Sequence, residues 1–264
     1  MNPLETTLYR AALGLQFIDS VDGASVADGL VVTAWPAGDP GAVRVAAQSP
    51  VSTIMGFGRL PGLAFYQEAV TDDPGTFTWP APGTGRPFEV RVADPVGRYL
   101  PELLAVTAPS SALVTPLLFS APARPVPSGF AVVSGEVSSV TSGPAAWAMV
   151  QIVTDAGTYV TLADQLGRYV VYLPYPEALP PLGGSPRSGG PSGQLTWPLV
   201  VSVRYQPSAQ NRLADATAGD PPELASLLGQ APAAISAVGG QQPSLAATLT
   251  FGSPLLLMLQ VAPA

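Results

Sequence analysis

Two aspartates in near-identical settings are the most conspicuous candidates for chemistry in this chain. Ala93-Asp94-Pro95-Val96-Gly97-Arg98-Tyr99 recurs in the second half as Ala163-Asp164-Gln165-Leu166-Gly167-Arg168-Tyr169. An aspartate with a glycine three residues on suits two roles. The carboxylate can act as an acid catalyst or calcium ligand, or it can cap a tight turn while the glycine takes positive φ. The recurrence between two apolar runs favours the turn. Asp94, Gly97, Asp164 and Gly167 are therefore read as structural turn residues.

The remaining chemical inventory is short. The chain has no Cys, no His and no Lys, and all 11 positive charges are Arg. These absences remove thiolate nucleophiles and Cys-based zinc sites, the usual general base with its Ser-His-Asp triad, and Schiff-base chemistry. Asp72-Asp73 precede Pro74-Gly75 and read as a solvated turn rather than a hydrolytic pair, which needs a fixed carboxylate separation. Asp19, Asp22 and Asp28 surround a predicted hairpin but lack the calcium-loop pattern. Gly56-Phe-Gly58-Arg-Leu-Pro-Gly62 has the wrong spacing for a dinucleotide loop, and Pro61 would interrupt the helix such a loop requires. The expectation is a protein with no catalytic residues, no cofactor and no metal ligands, which is not an enzyme.

Aromatic side chains offer a different activity. Phe57, Phe65, Tyr66, Phe77 and Trp79 fall in residues 54–85, a Gly- and Pro-rich stretch with no strand pattern. A long irregular segment inside a compact domain is usually functional or packed on a neighbour. These five residues form a candidate interaction loop for protein or glycan, or else a small core beneath the loop. Trp147, in an apolar run, reads as core.

Short strands must position these groups. The 31 Pro and 27 Gly cut the 264 residues into pieces too short for long helices. Alternating or apolar runs predict strands over 13–19, 29–35, 43–45, 87–93, 99–106, 131–137, 146–153, 159–162, 169–173, 198–205, 245–250 and 255–261. Pro221 to Leu228 reads as two helical turns with proline at the start. Three prolines between Ala121 and Gly129 predict a stiff extended linker. The expected fold is all-β, with two tandem antiparallel β-sandwich domains of transthyretin or immunoglobulin type. The first spans 1–122 and carries the long loop 54–85; the second spans 129–264.

Charge bounds the partners. Charged residues make up 11% of the chain, against about 25% in ordinary soluble proteins. So little charge favours surfaces covered by other proteins. A net charge of −7 with scattered Arg speaks against nucleic acid and anionic membrane. The N-terminus lacks the basic region of a secretory signal, and the run from Pro254 to Val261 is too short to span a bilayer. The chain is expected to be made in the cytoplasm without a signal peptide, and to leave the cell, if at all, by lysis or as part of a released particle.

Two resemblances extend this reading. Val133-Ser-Gly-Glu-Val137, Ser142-Gly-Pro-Ala-Ala-Trp-Ala-Met-Val150, Thr161-Leu-Ala-Asp-Gln-Leu-Gly-Arg-Tyr169 and Leu173-Pro174 resemble the carboxypeptidase regulatory-like family, with its transthyretin-like β-sandwich. The resemblance implies a fold and a non-catalytic appendage. The order of Leu8-Tyr-Arg-Ala, Asp28 to Pro36, Gly56 to Leu63, Pro87-Phe-Glu-Val, Asp94 to Pro101 and Phe119 to Pro127 is similar to accessory proteins of phage-tail-like contractile injection particles. That resemblance implies a structural role near the baseplate or spike. It also implies partners among the baseplate, spike, tube or sheath subunits.

Overall fold

The computed structural model describes residues 11–49, 51–63, 70–73, 76–78, 84–175, 196–217, 219–237 and 240–264. The chain is all-β and divides into two compact units. The first is Met1–Leu118 with Asn211–Ala225, and the second is Phe119–Gln210 with Ser226–Ala264. Residues 211–225 therefore lie within the second module's sequence yet belong to the first unit.

In chain order, the first unit contains β1 (Leu13–Leu15), β2 (Phe17–Asp19), β3 (Ser25–Val26), β4 (Val31–Pro36), β5 (Arg44–Val45) and β6 (Ala47–Gln48). These are followed by β7 (Met55–Phe57), β8 (Val70–Asp73), β9 (Thr76–Thr78), β10 (Arg86–Ala93), β11 (Glu102–Ala108) and β12 (Leu117–Leu118). The four-stranded sheet β11-β10-β4-β5 is antiparallel, and Phe88, Val90 and Val92 of β10 are all buried. The predicted strand 13–19 is two strands. β1 pairs with β7, whereas β2 pairs with β3 and, in parallel, with β12. Breaking the run at Gln16 lets one alternating segment serve two sheets.

The second unit contains β13 (Phe130–Ser139), β14 (Gly143–Pro144), β15 (Met149–Thr154), β16 (Gly157–Leu162), β17 (Arg168–Pro174) and β18 (Thr196–Arg204). After α1 (Leu224–Leu228) come β19 (Pro232–Ala237), β20 (Gly240–Gln242), β21 (Leu245–Thr250) and β22 (Leu255–Ala262). One layer is built on β17-β13-β22 and the other on β16-β15-β18-β21. β19 joins the two, pairing with β18 at Ala233 and with β22 at Ile235. The layers enclose Val133, Val150, Ile152, Tyr169, Leu199, Val201 and Val261. Alternation along each strand sends these side chains inward, as a two-layer fold requires. Pairing is antiparallel except for β2–β12 and β13–β22 among the described strands.

The segment 121–129 departs from the stiff extended linker. Arg124 N–H closes a turn onto the Ala121 carbonyl at 2.9 Å. Tyr172 Oη donates to the Arg124 carbonyl at 2.6 Å, and the Arg124 guanidinium lies 5.7 Å from the Tyr172 ring centre. The backbone is pinned to the face of its own unit.

Candidate functional site

Both Asp-x-x-Gly segments are turns, and each carboxylate is occupied by its own loop. In the first, Asp94 accepts the Val96 N–H at 3.2 Å, the Arg98 N–H at 2.8 Å and the Arg98 Nε–H at 2.9 Å. In the second, Asp164 accepts the Leu166 N–H at 2.8 Å, the Arg168 N–H at 2.9 Å and the Arg168 Nε–H at 2.9 Å. Gly97 and Gly167 take φ of +77° and +76°, and each donates its N–H to the aspartate carbonyl at 2.9 Å. An aspartate so engaged directs its oxygens into the loop rather than toward a substrate. Burial works to raise the Asp94 pKa. The Arg98 side-chain and backbone hydrogen bonds, the Val96 N–H and the Arg98 charge outweigh it and leave the pKa below the usual carboxylate value.

The carboxylates of Asp19 and Asp22 in the first hairpin are also engaged, and Asp28 is held through its backbone. Asp19 accepts the Val21 N–H at 2.9 Å and the Tyr99 hydroxyl at 2.8 Å. Asp22 accepts the Ala24 N–H at 2.8 Å, and the Asp28 carbonyl accepts Arg98 Nη2 at 2.6 Å. Among the described residues, no three acidic side chains gather where a metal ion could be held.

The candidate interaction loop divides. Phe57 is in β7 and is 1% exposed, so its ring belongs to the core of the first unit and is not offered to a partner. Phe65, Tyr66 and Trp79 lie outside the described residues, and Phe77 is described only as backbone of β9. Gly56-Phe-Gly58 begins within strand β7, not in a phosphate-binding turn.

Trp147 is core, as its apolar setting suggested, but it precedes the strand. β15 starts at Met149, and Trp147 sits in a turn with φ +61°, a left-handed conformation that is costly for a bulky residue. Three glutamines hold this turn. Gln230, 1% exposed, donates to the Trp147 carbonyl at 2.9 Å and to the Leu227 carbonyl at 3.0 Å. Its Oε1 accepts the Gln206 N–H at 3.0 Å and Gln210 Nε2 at 3.1 Å, and Gln210 also donates to the Ala146 carbonyl at 3.1 Å. Every polar atom of the Gln230 amide is engaged, so the network fixes the strained turn.

A charged cluster that single-residue reading missed lies in the first unit. Glu89 and Arg91 alternate with the core side chains of β10, and Trp35 pairs directly with Glu89. Residues 211–225 cover this cluster. The loop is closed by Asn211 and Glu223, through a backbone bond of 2.8 Å and a side-chain bond of 3.0 Å. Asp220 forms an ion pair with Arg91, Asp215 accepts the Gly38 N–H at 2.7 Å, and Glu223 bridges to Leu103 of β11. Thr217 anchors Asp220 through its N–H and hydroxyl at 2.7 and 2.8 Å. Beneath the loop Glu89 is 4% exposed and Trp35 3%.

Burial raises the Glu89 pKa, and the charge of Asp215 raises it further. The Trp35 indole and the Asp215 N–H oppose this only in part. The indole faces the carboxylate without a formed hydrogen bond: neither Trp35 Nε1 nor Glu89 Oε2 has a partner at hydrogen-bonding geometry. The arrangement ties a long loop to a sheet face. The Thr217 hydroxyl in this cluster is spent on Asp220.

No family model matches the chain, and no curated protein does. Among solved structures, the chain is similar to the Bacillus anthracis TIE protein at 10% identity and a TM-score of 0.26. That match covers 96% of this chain and 34% of that one, about a third of its length. The shaft pilin SpaA from Lactobacillus rhamnosus GG matches at 10% identity and a TM-score of 0.24, with 98% of each chain covered. A streptococcal ancillary pilin matches at 11% identity and a TM-score of 0.20, over 96% of this chain and 62% of that one. Likenesses at these scores carry no argument about function.

Proposed function

We propose that this chain is a non-catalytic structural subunit of a phage-tail-like contractile injection particle, acting near the baseplate or spike through protein–protein contacts. The observation that carries the structural part is the fate of its carboxylates. Asp19, Asp94, Asp164 and Asp220 are each consumed by turns, strands or ion pairs. In a chain without Lys, His or Cys, this withdraws four of the 18 acidic side chains from the groups that could run a reaction. The low charge fraction favours covered surfaces, and the sequence resemblance supplies the particle. Co-expression with the tube, sheath and baseplate proteins of such a particle tests the reading. The chain is expected to sediment with assembled particles. A chain left wholly in the soluble fraction while particles assemble would overturn it.

Glycan binding is the second reading, favoured by an aromatic group in the second unit. Tyr175 and Phe251 have ring centres 4.7 Å apart, Trp197 lies 5.9 Å from Tyr175, and Phe251 is 54% exposed. Stacking on a sugar face is the chemistry such rings offer. Binding on a glycan array that is lost in Trp197→Ala would promote this reading over the first.

A further inference from the structure

We propose that β22 is a docking edge for a second copy of this chain, paired antiparallel across a two-fold axis. On one edge β22 is zipped in parallel to β13, from Val133↔Leu255 to Ser139↔Val261. On the other edge only Val261 and Ala262 meet a strand, β19. Residues 255–260 thus present an edge with no strand partner among the described residues. Six residues at about 3.3 Å each give an edge on the order of 20 Å, enough for a ladder of backbone hydrogen bonds.

The inner face of this edge is apolar, and its outward face carries Leu256, Met258 and the polar Gln260. Leu259 and Val261 are buried, and Leu255 and Leu257 pack partly against the core. Leu256 and Met258 point outward and are 68% and 64% exposed. Natural edge strands avoid pairing by being short, by carrying charges, or through prolines and bulges. β5 in the first unit follows that rule, being two residues long and carrying Arg44. β22 does not. Its flanking prolines, Pro254 and Pro263, lie outside the strand, and no charged residue occurs from Leu224 to Ala264.

That absence of charge selects the occupant. Each copy carries a net charge of −7, so two copies repel unless they meet where neither is charged. β20, β21 and β22 of the uncharged stretch each keep backbone without a second strand partner among the described residues, and of the three β22 is the longest and carries the exposed large apolar side chains, Leu256 and Met258. The β22 edge is also self-complementary. An antiparallel two-fold pairing sets Leu256 and Met258 of one copy beside the same residues of the other, with backbone donors opposite acceptors. Such a pairing uses both edges at once and closes at two copies. The inference does not rest on the particle reading, because it concerns the free chain alone.

Sedimentation equilibrium of the purified full chain tests it. The expected mass is twice 26.9 kDa at high concentration. Leu256→Lys and Met258→Lys, made separately at exposed positions, are each expected to weaken dimerisation about tenfold or more, because two like charges would be brought together at the seam. Val200→Lys, at a residue 42% exposed on the inner strand β18, is expected to leave the dimer intact. Far-UV circular dichroism and a thermal melt establish that each variant folds. A wild-type monomer at every concentration, a dimer unaffected by both β22 substitutions, or assembly beyond two copies would each overturn the proposal. Sedimentation with particles is scored separately, so either proposal can fail without the other.

Discussion

The turns at Asp94 and Asp164 share a sequence, a hydrogen-bond pattern and a glycine conformation, yet they are embedded differently. A Cβ on Gly97 would meet nothing within 4 Å, whereas one on Gly167 would stand 2.3 Å from the Val137 carbonyl oxygen. The Gly167 carbonyl also accepts the Val137 N–H at 2.7 Å, stitching the turn to β13. Tyr99 reaches a buried carboxylate, Asp19, while Tyr169 reaches a strand carbonyl, that of Leu257, at 3.2 Å. The same local device is therefore a surface turn in one unit and part of a packed junction in the other. Local sequence makes the turn, and surroundings set what it contributes.

The glycines should separate the two turns most. Gly97→Ala is expected to cost about 1 kcal/mol, the penalty of positive φ alone. Gly167→Ala is expected to cost about 3 kcal/mol or more, since the added methyl meets backbone that cannot step aside. Urea denaturation of the two variants measures the difference, and equal losses would erase the distinction drawn here. The tyrosines come next. Tyr99→Phe removes a donor from a buried carboxylate and is expected to cost about 1.5–3 kcal/mol, against about 0.5–1.5 kcal/mol for Tyr169→Phe, whose partner is a neutral carbonyl. Thermal melts of the pair rank them.

The arginines should differ least. Arg98 binds Asp94 and the Asp28 carbonyl and stacks 5.3 Å from the Tyr99 ring centre. Arg168 binds Asp164 with half its side chain in solvent. Arg98→Ala is expected to cost about 1 kcal/mol more than Arg168→Ala, whose exposed pair contributes at most about 1 kcal/mol. A double-mutant cycle with each aspartate isolates the pair terms.

Acid titration contrasts the first turn with the cluster under the covering loop. Asp94 has a lowered folded pKa, so its stabilisation is complete above the unfolded value of about 3.9 and is lost as pH falls through the folded value. Glu89 has a raised folded pKa, so its ionisation destabilises the fold as pH rises from the unfolded value through the folded one. Asp94→Asn should flatten the acid limb of stability against pH. Glu89→Gln should gain stability relative to wild type only above that limb. Denaturation midpoints across pH 3 to 8, a range of about five units around these carboxylates, check both signs.

Much of the fold was legible in the strands and turns. β21 matches its expected span, β22 extends it by one residue, and β10, β13 and β17 fall within one or two residues of theirs, because alternation and flanking Gly or Pro are local signals. The two helical turns expected over Pro221 to Leu228 shorten to the five residues of α1, which begins beyond both prolines. β19 gave little signal, since Pro232-Ala-Ala-Ile-Ser-Ala237 alternates weakly and earns its strand only by joining two layers. The cluster at Glu89 was hidden for a related reason. Glu89 and Arg91 alternate with Phe88, Val90 and Val92 as an exposed strand face would, yet Glu89 is buried and Arg91 is paired to the distant Asp220.

Composition and order alone determined that this chain is all-β, lacks His, Cys and Lys, and uses one Asp-x-x-Gly-Arg-Tyr device twice. Those properties depend on residue type, strand alternation and turn chemistry over a few neighbouring positions. Tertiary structure decided which copy of the turn is packed, that Phe57 is core, that Trp147 sits at positive φ under three glutamines, and that residues 255–260 of β22 have no second strand partner among the described residues. Each of these depends on side chains and strands brought together across long sequence separations, where burial and hydrogen bonding outweigh local preference.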